Sequence, residues 1–201
     1  MLSIVEKLIN LREIFLKNGQ KEAVKQIENV MKNIEDKDKL RSLEVSLNLR
    51  AMGDLYIDMY YGDWWKILTE AQKEVQELYF ILESKELNVE KSYIDMVSEL
   101  YNFAKEIKDD KLLFRLEEIR NNYNSPDMIR KLIKICVSQG ARPSKYFSER
   151  YGNWKNLLEK LYYEANAYLK KIENSNNNNY DKVDEYVNEL KKQFEEYFLK
   201  T

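Results

Sequence analysis

Histidine is missing from all 201 residues, and cysteine occurs once, as Cys136. The first absence removes Ser-His and Cys-His nucleophile pairs, imidazole proton shuttles and every zinc site that uses His. The second removes an internal disulfide and any Cys-only metal site within one chain. It also makes a reducing, cytoplasmic compartment the default expectation. Only 5 glycines and 2 prolines are present, too few breakers for the turns of a β-sandwich. Gly19, Gly53, Gly62, Gly140 and Gly152 are scattered, so no Gly-rich loop cradles a phosphate. No stretch of about 18 residues lacks charge, so no membrane-spanning helix and no membrane partner are expected. The first residues carry no leader-like basic region followed by an apolar core.

Charged residues make up 34% and aromatics 12%, the profile of an all-α protein with aromatic packing. The formal net charge is -2, so attraction to a polyanion has to be local. Asp54 and Asp58 share helical spacing, with Asp63 nearby, but solvated helix faces produce such carboxylate pairs constantly. No cofactor, no metal and no enzymatic activity are expected. Cys136 lies among Ile133, Ile135 and Val137 without a cationic neighbour, which reads as a buried structural thiol.

The chain repeats itself. Ala51, Tyr56, Tyr61, Gly62, Trp64, Leu68 and Glu74 recur ninety positions on as Ala141, Tyr146, Tyr151, Gly152, Trp154, Leu158 and Glu164. Upstream the offset is eighty-nine: Leu11, Ile27, Glu28, Val30 and Asn33 recur as Leu100, Leu116, Glu117, Ile119 and Asn122. Val97, Glu99, Leu100 and Glu106 return once more as Val187, Glu189, Leu190 and Glu196. A period this long predicts a tandem duplication of a five-helix unit of about 90 residues. The expected division is 1–90, 91–179 and a C-terminal amphipathic helix over 180–201 that caps the preceding repeat or meets a partner chain.

Within a unit, Ser3-Ile4-Val5-Glu6 is a capping box, and Ile4, Leu8, Leu11 and Phe15 follow a helical period up to Asn18-Gly19. A second helix carries Ala23, Val24, Ile27, Val30 and Met31. A third starts near Asp36, matched by Ser125-Pro126-Asp127 in the later copy. A short fourth is predicted over about 54–60 and 143–150. The fifth is predicted to follow a turn at Gly62 or Gly152 and to run about 30 Å. Trp64 and Trp154 are read as filling the space under that turn, with Tyr146 and Tyr151 sealing its sides.

Gly140, Pro143-Ser144 and Tyr151-Gly152-Asn153-Trp154 give residues 128–161 the pattern of a helix ending in Gly, a Pro-Ser helix start and an aromatic-Gly-x-Trp step. In this the segment resembles the homing-endonuclease-associated repeat. A degenerate second copy lies near 38–71, with Met52-Gly53-Asp54 where Arg142-Pro143-Ser144 stands. The resemblance implies a tri-helical, helix-turn-helix-like unit that contacts DNA, and a viral or mobile-element setting.

The two copies differ in charge. Residues 125–171 hold ten bases and four acids, whereas 35–81 hold six bases and ten acids. Arg142, Lys145, Arg150, Lys155 and Lys160 stand where the first copy has Met52, Leu55, Tyr60, Trp65 and Glu70. Two readings follow. In one, Arg142, Lys145 and Arg150 meet phosphates of duplex DNA, with Asn153, Lys155 and Asn156 near base edges and Lys160 among the nucleic-acid-binding residues. In the other, Met52, Leu55, Tyr60 and Trp65 form an apolar face for a homodimer or another protein, as does the C-terminal helix.

Overall fold

A computed structural model describes residues 3–47, 52, 55–86, 88–140, 151–175 and 180–200. Among these the fold is all-α. The helices are α1 (Ile4–Lys17), α2 (Lys21–Lys32), α3 (Lys37–Ser46), α4 (Tyr61–Glu83), α5 (Val89–Glu106), α6 (Asp110–Asn121), α7 (Pro126–Gly140), α8 (Tyr151–Ser175) and α9 (Tyr180–Lys200). They form two compact units: Met1–Tyr79 with Tyr180–Thr201, and Phe80–Asn179. The division falls inside α4 rather than at 90, and α9 joins the first unit.

The first unit opens with the capping box. The Glu6 N–H donates to Ser3 Oγ at 3.2 Å, and the Ser3 N–H donates to the Glu6 carboxylate at 2.7 Å. Ile4, Leu8, Leu11 and Phe15 then form the buried stripe of α1. The helix stops where Gly19 adopts φ 69°, a left-handed conformation that a Cβ would strain. The Gln20 N–H reaches back to the Phe15 carbonyl at 2.9 Å. Asn33 Nδ2 caps the carbonyl of Asn29 at 2.7 Å, closing α2. Asp36 Oδ1 accepts from the Lys39 N–H at 3.0 Å, opening α3.

Similar local geometry recurs in the second unit. Lys108, eighty-nine positions after Gly19, has φ 57°. The Asp109 N–H bonds to the Ala104 carbonyl at 3.1 Å, and the Asn122 side chain caps the Glu118 carbonyl at 3.2 Å. Buried positions match as well: Leu11 with Leu100, Ile27 with Leu116, Val30 with Ile119, Trp64 with Trp154, and Leu68 with Leu158. Each Trp meets a phenylalanine of its own unit's first helix. Trp64 contacts Phe15 edge to face at 5.9 Å, and Trp154 lies 4.7 Å from Phe103 at a 34° tilt. Truncating such a residue costs about 3–5 kcal/mol, so these contacts rank among the largest single packing contributions in each unit.

Three expectations are corrected. Residues 55–60 are not helical: the Gln20 side chain donates to the Tyr56 carbonyl at 2.8 Å, and the Asp58 N–H donates to Asn18 Oδ1 at 2.6 Å. Those partners replace the i→i−4 bonds a helix would need. The counterpart 143–150 lies outside the described residues. Next, α4 and α8 begin at Tyr61 and Tyr151, so Gly62 and Gly152 sit inside the first turn. A Cβ on Gly62 would come within 2.8 Å of the Tyr60 ring, an exposed side chain that is free to swing aside. Finally, α9 docks on α1 and α2 instead of capping the preceding repeat. Val187, Leu190 and Phe194 are its buried stripe. The Tyr197 hydroxyl donates to Glu13 at 2.7 Å, holding that carboxyl below the usual glutamate range. Arg12 reaches Tyr197 at 3.1 Å and Glu28 at 2.8 Å, while Lys191 pairs with Glu35 at 2.9 Å. The second unit has Tyr101, Asn102 and Asn124 in place of Arg12, Glu13 and Glu35, so it lacks these anchors.

Among the described residues of the first unit Lys7 is the charged side chain set deepest, 2% exposed, and paired with Glu74 and with Glu70 at 3.7 Å. Burial by itself pushes its pKa down, but the two carboxylates outweigh that and hold it above the ordinary lysine value. The position eighty-nine residues on is Met96. Lys7→Met is therefore expected to stay within about 1 kcal/mol of wild type, because both carboxylates reach water. The double change Glu70→Gln with Glu74→Gln strands the ammonium and is expected to cost about 2 kcal/mol. Urea unfolding compares them, and equal losses would show that the carboxylates are not what holds Lys7 in place.

Candidate nucleic-acid face and aromatic turn

Trp154, Leu157, Leu158, Leu161 and Ala165 form the buried stripe of α8. A helix with that stripe turns residues 155, 156, 159 and 160 outward. Lys155, Asn156, Glu159 and Lys160 are accordingly exposed. Neither Lys155 nor Lys160 has an ion-pair partner among the described residues. Arg142, Lys145 and Arg150 lie outside the described residues. Asn153 falls in the first turn of α8, and its side chain is likewise outside the description. The helix thus gathers Lys155, Asn156 and Lys160 on one side.

Other cations of this stretch are tied to nearby acceptors. Arg130 bonds Asp127 at 3.2 Å and Glu173 at 3.1 Å. Lys131 pairs with Glu118 at 2.9 Å, and Lys170 with Glu173 at 3.5 Å. Lys171 donates to the Glu86 carbonyl at 3.4 Å. Only part of the positive excess read from the sequence therefore faces solvent uncompensated. Lys134 is exposed and joins Lys155 and Lys160 in having no partner among the described residues.

The apolar face predicted for the first copy divides. Met52 is 1% exposed, inside the first unit's core, and is withdrawn from any outward face. Leu55 and Trp65 are half-buried, and Trp65 stacks on Tyr61 with ring centroids 4.7 Å apart. Tyr60 is 77% exposed. Tyr56, whose counterpart Tyr146 was expected to seal the turn, is 78% exposed instead. Met59 and Tyr61 are also exposed. The residues that pin this loop, Asn18 and Gln20, are thirty-six to forty positions away, and no pattern in the sequence joined them to it.

Among the described residues no group of His, Cys, Asp or Glu is arranged to hold a metal ion. None of the described helices is long and apolar enough to cross a membrane. Cys136 is buried, and burial pushes its thiol up to about 12. Tyr93 is buried beside it, stacked on Tyr168 at 4.9 Å, and burial raises its hydroxyl too. Comparison of the chain with protein-family models, curated proteins and solved structures gives no match.

A thiolate is the reactive species, so Cys136 is expected to resist maleimide at neutral pH in the folded protein. Labelling should proceed only in denaturant. Rapid stoichiometric labelling of the native chain would place the thiol at the surface.

Proposed function

We propose that this chain acts by binding rather than by catalysis, and that it is two copies of one helical module fused in tandem. The second copy binds duplex DNA through the outward side of α8, using Lys155, Asn156 and Lys160, together with Arg142, Lys145, Arg150 and Asn153 before it in sequence. The observation that carries this reading is that Lys155 and Lys160 stand exposed on one side of the helix without an ion-pair partner among the described residues. Their counterparts in the first copy are Trp65 and Glu70, so the cations are not a requirement of the shared core. The resemblance of 128–161 to the homing-endonuclease-associated repeat points the same way. No cofactor enters this reading.

Affinity from a few lysines and arginines is electrostatic and salt-dependent. Replacing Lys155 and Lys160 with Ala is expected to lower the slope of log affinity against log salt by about 1–2, close to one for each of the two lysines that reaches a phosphate. Mobility shift of a duplex at about 50 mM salt measures it. Absence of retardation at micromolar wild-type protein, or an unchanged slope in the variant, defeats the proposal.

The exposed aromatic turn favours a second reading, a protein contact through the first unit. Tyrosines held on a pinned loop lose little entropy on docking. If the occupant is a second copy of this chain, sedimentation at rising concentration should show a dimer that Tyr56→Ser with Tyr60→Ser abolishes. A wild-type monomer at every concentration rejects the homodimer.

A further inference from the structure

Between α6 and α7 runs a groove of about 500 Å³ in the second unit. Its lining includes Ile119 and Ile135, both buried, and Phe114, which is 75% exposed. Arg115, Lys131 and Lys134 also line it. Glu118 is the acid among the lining residues, and it is already paired with Lys131. Arg115 and Lys134 are exposed and have no ion-pair partner among the described residues.

Shared architecture does not explain this combination. Eighty-nine positions earlier the first copy has Lys25 for Phe114, Ser46 for Ile135 and Val30 for Ile119. For Arg115, Lys131 and Lys134 it has Gln26, Ser42 and Val45. The groove's cations and its exposed ring are thus particular to the second copy. An exposed Phe on a polar helix contributes nothing to the core, and three cations around it are not the arrangement that packing alone selects.

We propose that this groove is a docking site for an acidic amphipathic helix of a partner protein, with an apolar anchor over Ile119 and Ile135 beside Phe114. The argument is complementarity of two kinds at once. The apolar floor desolvates an aliphatic or aromatic side chain without stranding a polar group. Acidic residues flanking such an anchor face Arg115, Lys131 and Lys134. The Ile119 and Ile135 floor offers a nucleobase edge no hydrogen-bonding side chain, whereas an aliphatic or aromatic anchor needs none. The site is separate from the α8 residues of the DNA-binding reading, and either proposal can fail alone.

The test is fluorescence anisotropy with labelled peptides of about 18 residues, a helix of about 27 Å. One set has Leu, Ile, Phe or Trp at i, i+3, i+4 and i+7 and glutamate elsewhere. A twin set replaces glutamate with lysine, and oligothymidylate serves as a third probe. The full-length protein is expected to bind at least one acidic peptide with micromolar affinity, and the lysine twins at least about tenfold more weakly. Phe114→Ser, and separately Arg115→Glu with Lys134→Glu, should each weaken the acidic peptide about tenfold or more. These three positions are exposed, so circular dichroism and unfolding midpoints should match wild type. Lys155→Ala with Lys160→Ala should leave peptide binding unchanged. The proposal is overturned if no acidic peptide binds at about 100 μM protein, or if the charge twins bind alike. It also fails if Phe114→Ser has no effect, or if oligothymidylate binds in a Phe114-dependent way.

Discussion

Which residues α4 and α8 turn outward depends on how each long helix is rotated against the first helix of its unit. Trp64 against Phe15 and Trp154 against Phe103 set that rotation. A tryptophan buried near the start of α4 or α8 leaves the residues one and two places later no choice but to face away. Lys155 and Asn156 are exposed for that reason, as is the solvent-facing part of Trp65.

The two units share several buried positions, such as Leu11 with Leu100 and Trp64 with Trp154, and differ in what surrounds them. Leu11, Ile27, Val30, Trp64 and Leu68 have apolar buried counterparts in the second unit, whereas Trp65 and Glu70 stand opposite Lys155 and Lys160. In the first unit the additions are structural: Lys7 with Glu70 and Glu74, and the Arg12, Glu13, Glu28 and Glu35 set that receives α9. Those polar contacts are modest one by one. Together they select where α9 lies, since Val187, Leu190 and Phe194 alone would pack on many apolar stripes. In the second unit the additions are exposed, and they form two features: the cationic side of α8 and the groove beside Phe114.

Net charge gave a poor guide to the second unit's surface. The excess between 125 and 171 counts Arg130, Lys131 and Lys170 as though they faced water alone, yet each pairs with a glutamate. Two of those acids are helical neighbours only in space: Glu118 belongs to α6, and Glu173 is forty-three positions from Arg130. A linear tally cannot detect such pairs, because sequence separation carries no information about which helices meet. Phe114 escaped notice for a related reason. A single aromatic on a charged helix reads as part of a core stripe until the helix is oriented.

By itself the amino-acid order determined the helical class, the capping box at Ser3, a helix start near Asp36, the buried stripes, and the matching pattern around Trp64 and Trp154. These are local or periodic signals, written within a few turns of helix. Only tertiary structure decided that 55–60 is irregular, that Met52 is internal while Tyr56 is not, and that α9 belongs with α1 and α2. Each of those outcomes turns on contacts between distant residues, such as Asp58 with Asn18 or Tyr197 with Glu13, whose free energies exceed the weak local preference of the segments involved.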